Sequence, residues 1–172
     1  MPADELKLGS KSAEEELFSD NKYLLFKLLN EPFCVDIGQL SCISYPQKIQ
    51  IVPMAKKHVM GVVSLRGQLA VQIDLARKYS IYSQESHEID CLLYVETSSG
   101  RMAIPVHEVV GVLTVQDADI LKDYPKPYGV PEDLIKGALR SGETLYLLLD
   151  IVKSLDEIEL TTISETIESA KN

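Results

Sequence analysis

Few of the side chains able to do chemistry at neutral pH are spaced in this chain to act together. His58, His87 and His107 stand far apart, with no cysteine pair beside them and none of the close ligand spacing of a metal site. Cys34, Cys42 and Cys91 are odd in number and include no Cys-x-x-Cys, which predicts a reduced, cytoplasmic chain without a disulfide framework. Gly61 and Gly67 bracket a loop, but no Lys-Ser or Lys-Thr follows, so it is not a phosphate cradle. There is no Gly-x-Ser-x-Gly elbow, and Cys42 has no evident base beside it. Asp74 and Asp150 could be imagined as a carboxylate pair. Each, however, directly precedes a helix-forming run, where a carboxylate serves as an N-cap for unpaired backbone amides. The sequence therefore predicts no catalytic residue, no metal and no cofactor.

Two charged features remain. Lys56-Lys57-His58 is a small basic cluster, either a solvated turn or part of a docking surface. Arg66 is predicted to stand in water at a hairpin tip. It serves there as a soluble turn residue, or its planar fork pairs bidentately with a carboxylate or peptide carbonyls on a partner.

The element that positions Arg66 is Gly61–Leu75. Val63 and Leu65 share a face before the Arg66-Gly67 step, and Leu69, Val71 and Ile73 share one after it. Period-two alternation around a glycine predicts a β-hairpin, since glycine accepts the positive φ of a tight turn. Gly137–Asp150 repeats the pattern at equal length, with a turn near Gly142 and an Asp followed by an aliphatic residue. Around these hairpins, short strands are predicted at Tyr23–Leu29, Phe33–Ile37, Ile49–Pro53, Cys91–Val95 and Met102–Val106. Met54–Val59 is predicted to be a helical turn, and His107–Val112 resembles Gly38–Ile43 in length and place. A duplicated unit of short strands predicts two small β-barrels packed together, because closure removes exposed strand edges.

Composition narrows the class. At 45% hydrophobic with no tryptophan, the interior must be filled by aliphatic side chains. A net charge of −9 argues against nucleic acid, whose phosphates want a basic surface. No apolar run approaches the roughly 18 residues of a membrane span, and no secretory signal pattern opens the chain. Residues 1–20 read as a flexible acidic tail and 21–157 as the folded domain, its second half starting near 89. Residues 158–172 read as a tail or short helix, with a capping box at Thr162–Glu165.

Taken together, Val52-Pro53, Gly61-Val62-Val63-Ser64-Leu65-Arg66-Gly67, Ile73-Asp74-Leu75, Ile104-Pro105-Val106 and Leu148-Leu149-Asp150 resemble the CheW family of chemotaxis coupling proteins. The resemblance runs from about Lys22 to Leu155. It implies an all-β fold with short helices, built as two pseudo-symmetric five-stranded SH3-like barrels. It also implies a non-enzymatic adaptor that couples chemoreceptor helical tips to the regulatory domain of the histidine kinase CheA. Such an adaptor is cytoplasmic, is recruited to membrane-associated arrays without inserting in the membrane, and can contact other CheW-like domains. By motif position, receptor binding is expected at Arg66, Gly61 and Leu65, and kinase binding at Leu40, Cys42 and Ile43. Three residues depart from the family pattern. Ser64 stands for asparagine, His107 for aspartate, and Cys42 for the usual glutamate of the kinase-facing segment. The rival classes are a generic two-barrel binding module or specialised paralogue serving another pathway, and a small enzyme, for which the sequence supplies no convergent polar groups.

Overall fold

The computed structural model describes residues 21–156; the tail read over 1–20 and the capping box at Thr162 lie outside them. Eleven strands are arranged in two sheets. In chain order they are β1 (Asn21–Leu28), β2 (Glu31–Asp36), β3 (Cys42–Ser44), β4 (Ile49–Gln50), β5 (Val59–Leu65), β6 (Gln68–Ile73), β7 (Cys91–Thr97), β8 (Gly100–Val106), β9 (Glu108–Val115), β10 (Ile135–Ser141) and β11 (Thr144–Leu149). Two short helices, α1 (Leu75–Lys78) and α2 (Ile151–Asp156), follow the two predicted hairpins.

One sheet has five strands in the order β10-β11-β2-β1-β9, and the other six in the order β3-β7-β8-β6-β5-β4. The expected duplication is visible in this topology. Each hairpin, β5–β6 or β10–β11, adds its second strand in parallel to an antiparallel pair, β6 to β8 and β11 to β2. The outer place on each pair is filled by exchange: β3, which follows β1–β2 in the chain, pairs with β7, while β9, which follows β7–β8, pairs with β1. Gly38–Ile43 and His107–Val112 are thus equivalent segments, as their lengths suggest. The sixth strand, β4, lies against β5 where its counterpart is a single bridge from Leu121 to Ala138 on β10. This is why the expected five-and-five count becomes six and five.

Each sheet curls around a small core of its own. Tyr23, Leu25, Cys34, Leu139, Tyr146 and Leu148 pack inside the five-stranded sheet, with Leu113 of β9 against them. Val63, Ala70, Leu92, Tyr94 and Ala103 pack inside the six-stranded sheet, with Cys42 and Ile49 closing over them. No pairing among the described residues joins the edge strands of either sheet into a ring. A larger shared core lies between the sheets and holds Leu24, Phe26, Val71, Ile73, Ile104 and Leu155 among others. Strands that separate a private core from the shared one are buried on both faces, which makes β1 a continuous apolar run rather than an alternating one. The same holds at the base of the first hairpin, where Val63 and Ala70 face one core and Val71 and Ile73 the other.

The hairpin turn at Arg66-Gly67 is a two-residue loop closed by the Leu65–Gln68 pair. Its φ values are 54° at Arg66 and 79° at Gly67, the double positive φ of a type I′ turn. In the second hairpin only the first loop residue, Gly142, has positive φ, the pattern of a type II′ turn. Gly61 does a different job. A β-bulge shifts the β5–β6 register between Val59 and Gly61, and a Cβ on Gly61 would lie 2.3 Å from the Gln50 carbonyl oxygen. The bare glycine lets β4 close over β5, and Gly137 does the same beneath Leu121. The helical turn expected at Met54–Val59 is absent; that segment forms two plain turns, and Met54 has φ 62°, outside the right-handed helical region.

Both predicted caps are present. The Asp74 carboxylate accepts the Arg77 N–H at 3.1 Å, and the Asp150 carboxylate accepts the Lys153 N–H at 3.1 Å. Asp150 also accepts from the Gln39 side-chain amide at 2.9 Å and faces the Lys136 ammonium at 3.5 Å. Burial pushes its carboxyl pKa up, but the bonds from Gln39 and Lys153 and the Lys136 charge outweigh it, holding the group below its usual 3.8. A depressed carboxylate stabilises the fold above its unfolded pKa and loses that contribution as pH falls through the folded value.

Two measurements follow. In denaturant titrations, Gly61→Ala should lose roughly 1–3 kcal/mol from the backbone clash and strained φ, and Gly67→Ala, with open space around it, about 1 kcal/mol or less. Equal losses would mean that β4 does not sit on Gly61. Asp150→Ala should lose about 2 kcal/mol against about 1 kcal/mol for Asp74→Ala, because it also strands Gln39. The Asp150 difference should shrink below about pH 4 as the native carboxylate protonates.

Candidate functional site

The six residues singled out by motif position all lie on or beside the six-stranded sheet. Arg66 is exposed at the I′ turn and makes no hydrogen bond or ion pair among the described residues. Leu65, next to it, is half-buried against the private core. Gly61 is buried beneath β4 and offers no surface, so its part in any docking is to set the hairpin.

Leu40, Cys42 and Ile43 occupy the first of two places where the chain passes from one sheet to the other. Asp36 ends β2 and accepts the Gly38 N–H at 2.8 Å, starting a 3-10 turn over Ile37–Gln39. The Gln39 side chain then bridges to the second hairpin: its Nε2 donates to Asp150, and its Oε1 accepts the Ile151 N–H at 3.0 Å. Leu40 turns inward against the shared core. The Ser41 N–H donates to the Tyr94 carbonyl at 2.8 Å and brings β3 onto β7. Alternation along β3 turns Cys42 in toward the private core and Ile43 out, 48% exposed. Of the three expected kinase-facing residues, then, Ile43 presents a side chain and the other two support it.

Arg66 and Ile43 are at different ends of the strand order but around one core, which both Leu65 and Cys42 touch. The link from Ser44 to Ile49 carries the chain from one sheet edge, β3, to the other, β4. Along this seam Tyr45, Ile51 and Met54 are exposed. Sequence reasoning missed them because Ile51 was expected within a strand that in fact ends at Gln50. The exchanged counterpart of β3, edge strand β9, likewise exposes Val110 and Val112.

A groove of ≈ 480 Å³ runs between the start of β2, the exit of α1 and the proline-containing loop before β10. Phe33, Ile81 and Leu147 line it, with Tyr82 and Tyr128 on its rim, and Glu31 and Lys126 are its charged residues. It gathers no set of acids, bases and nucleophiles. Burial pushes the Cys34 thiol up to about 12 and, with the Asp90 charge adding to it, the Cys91 thiol up to about 11, far from thiolate reactivity at neutral pH. Ser83 lies 2.9 Å from His87 Nε2, a pairing the sequence did not suggest. Its oxygen already accepts from the Asn30 amide and the Glu85 N–H, so it is not poised as a nucleophile. Among the described residues no three metal-ligating side chains converge, and no helix is long and apolar enough to cross a membrane.

Comparison with known proteins identifies the family in which this arrangement of sheets occurs. The profile of the CheW-like domain matches residues 22–159. Chemotaxis protein CheW of Thermotoga maritima is 24% identical over 136 residues, 78% of this chain and 87% of that protein. Chemotaxis protein CheW of Bacillus subtilis is 23% identical over 145 residues, 83% of this chain and 91% of that protein. The crystal structure of the scaffolding protein TtCheW from Thermoanaerobacter tengcongensis superposes with a TM-score of 0.68 at 18% identity, over 77% of this chain and 85% of that one. That likeness extends to the fold what the profile, spanning both sheets and both exchanged strands, says of the sequence: the chain belongs to the CheW-like domain family.

Proposed function

We propose that this protein is a non-enzymatic chemotaxis adaptor that couples chemoreceptors to the histidine kinase CheA, working in the cytoplasm at membrane-associated arrays. The observation that carries the reading is the family match across both sheets, with relatives named Chemotaxis protein CheW matched along most of their length.

Within that reading, Arg66 and Leu65 meet the receptor tip, and Ile43 meets the regulatory domain of CheA, held by Leu40 and Cys42. The backbone supports the role of Arg66. A type I′ turn favours Asn-Gly, and a long side chain at φ 54° is strained. Keeping arginine there is costly to folding, which points to a partner for its guanidinium. The exposed Val110 and Val112 of β9 supply an edge for further CheW-like domains. A second reading, a specialised paralogue serving another sensory pathway, draws on Cys42 standing where a charge is expected and on its thiol facing inward. A pulldown with receptor cytoplasmic fragments and the CheA regulatory domain separates the two, since the paralogue would fail to retain them.

Arg66→Asn gives the sharper test. It suits the turn, so stability should hold or rise by a few tenths of a kcal/mol, about the surface-substitution range. Receptor affinity should fall about ten- to a hundredfold, the roughly 1.5–3 kcal/mol of a charge-assisted hydrogen bond. Affinity for CheA should be unchanged. Ile43→Ser should do the reverse, weakening CheA binding by about tenfold through lost apolar contact. Calorimetry of both variants against both partners reads the result, and parallel losses in a folded protein would defeat the assignment of two faces.

A further inference from the structure

His107 is the single residue between β8 and β9, where the chain passes for the second time from one sheet to the other. Its backbone N–H donates to the Lys27 carbonyl at 2.9 Å, and its ring Nδ1 accepts the Leu29 N–H at 2.9 Å. Leu29 opens the two-residue β1–β2 turn at φ 57°, a strained conformation for a branched side chain. The next turn residue, Asn30, donates from its amide to Ser83 Oγ at 3.1 Å, and the Glu85 N–H donates to the same oxygen at 3.2 Å. With both lone pairs of the hydroxyl occupied, its proton goes to His87 Nε2, 2.9 Å away. The two imidazoles meet edge to face, ring centres 5.9 Å apart.

Every bond in this chain of contacts has a fixed direction. His107 accepts on Nδ1, so its proton is on Nε2; His87 accepts on Nε2, so its proton is on Nδ1. Both rings are therefore neutral. Adding a proton to His107 would place N–H against the Leu29 N–H, and adding one to His87 would leave the Ser83 hydroxyl without its acceptor. Protonating both would set two cations side by side.

We propose that His107, His87 and Ser83 form a pH-operated clasp, closed while both imidazoles are neutral, that pins the loop between α1 and β7 to the β1–β2 turn and so holds the two sheets together at this end. The loop itself carries the carboxylates of Glu85 and Glu88 beside His87. Burial lowers the His107 pKa from its ordinary 6.5, the Asp74 carboxylate works against this, and His87 adds to it. The Lys27–Glu108 ion pair flanks the ring along the backbone, and the Asp90 carboxylate accepts the nearby Val109 N–H. A base whose folded pKa is depressed contributes its full stabilisation above the unfolded value. That contribution is lost as pH falls through the folded value. The clasp thus opens as pH falls below the ordinary histidine value.

Amide hydrogen exchange of the full chain at about pH 7.5 and about pH 5, either side of the histidine range, tests this. After correction for intrinsic rates, protection of the Leu29 amide should fall by about tenfold in acid, the factor for one net hydrogen bond, while the β7–β8 ladder keeps its own. In His107→Asp the carboxylate remains an acceptor over this range, and Leu29 should stay protected at both pH values. Equal protection of Leu29 at both pH values in the native chain, or the same acid loss in His107→Asp, would overturn the proposal. Ser83→Ala guards against a variant that fails to fold. With His107 intact, residues 83–87 should lose protection already at about pH 7.5. A loop whose protection is unchanged in Ser83→Ala would equally overturn it.

Discussion

Neither private core can be enclosed by one half of the chain alone. The pairs β1–β2 and β7–β8 each leave an open edge beside their core, and the strand that covers it comes from the other half. β9 lies along β1 over nearly its whole length, from Asn21 opposite Val115 to Lys27 opposite Glu108. β3 lies along β7 more briefly. Cores of five or six buried side chains are too small to stand alone, so the exchange ties the halves into one cooperative body around the shared core. The rest of the structure depends on this sharing of strands between the halves.

The exchange also decides where the residues proposed to meet partners can stand. At the first crossing the backbone leaves one sheet and must reach the other within a few residues. Gln39 spans the gap by holding the N-terminus of α2, and Leu40 fills the space beneath. Ile43 then emerges on an edge strand whose direction is set by its neighbours rather than by itself. At the second crossing His107 occupies the equivalent place with a titratable ring. The crossings therefore combine rigid support with surface exposure, a pairing that suits an adaptor, whose contacts must survive without a substrate to order them.

Much of this was legible in the sequence, for local reasons. The hairpin at Gly61–Leu75 followed from period-two alternation and a glycine turn, the caps at Asp74 and Asp150 from residue type and place, and the duplication from equal spacing of matched motifs. The exposure of Arg66 followed from its position in the turn. The exchange did not, because hydrophobic alternation says that a strand has an inner face but not which strand lies beside it. Burial of β1 on both faces was hidden for the same reason. Leu40 and Cys42 matched a motif by position, yet their inward orientation depends on a bridge from Gln39 to Asp150, more than a hundred residues away. The link from Asn30 through Ser83 to His87 is likewise made by side chains that no spacing rule brings together.

The borrowed strands also bear on how the protein is made. Tyr23 pairs with Leu113, so β1 leaves the ribosome roughly 90 residues before its outer partner, a wait of roughly 5–20 s at ordinary elongation rates. During that time a hairpin apolar on both faces, with Leu24 and Phe26 on one side and Tyr23 and Leu25 on the other, has an unpaired edge. Neighbouring nascent chains on one message carry the same edge and, later, the same β9. Exchange within a chain and exchange between chains use identical contacts, so the yield of monomer depends on how quickly the second half of each chain is completed.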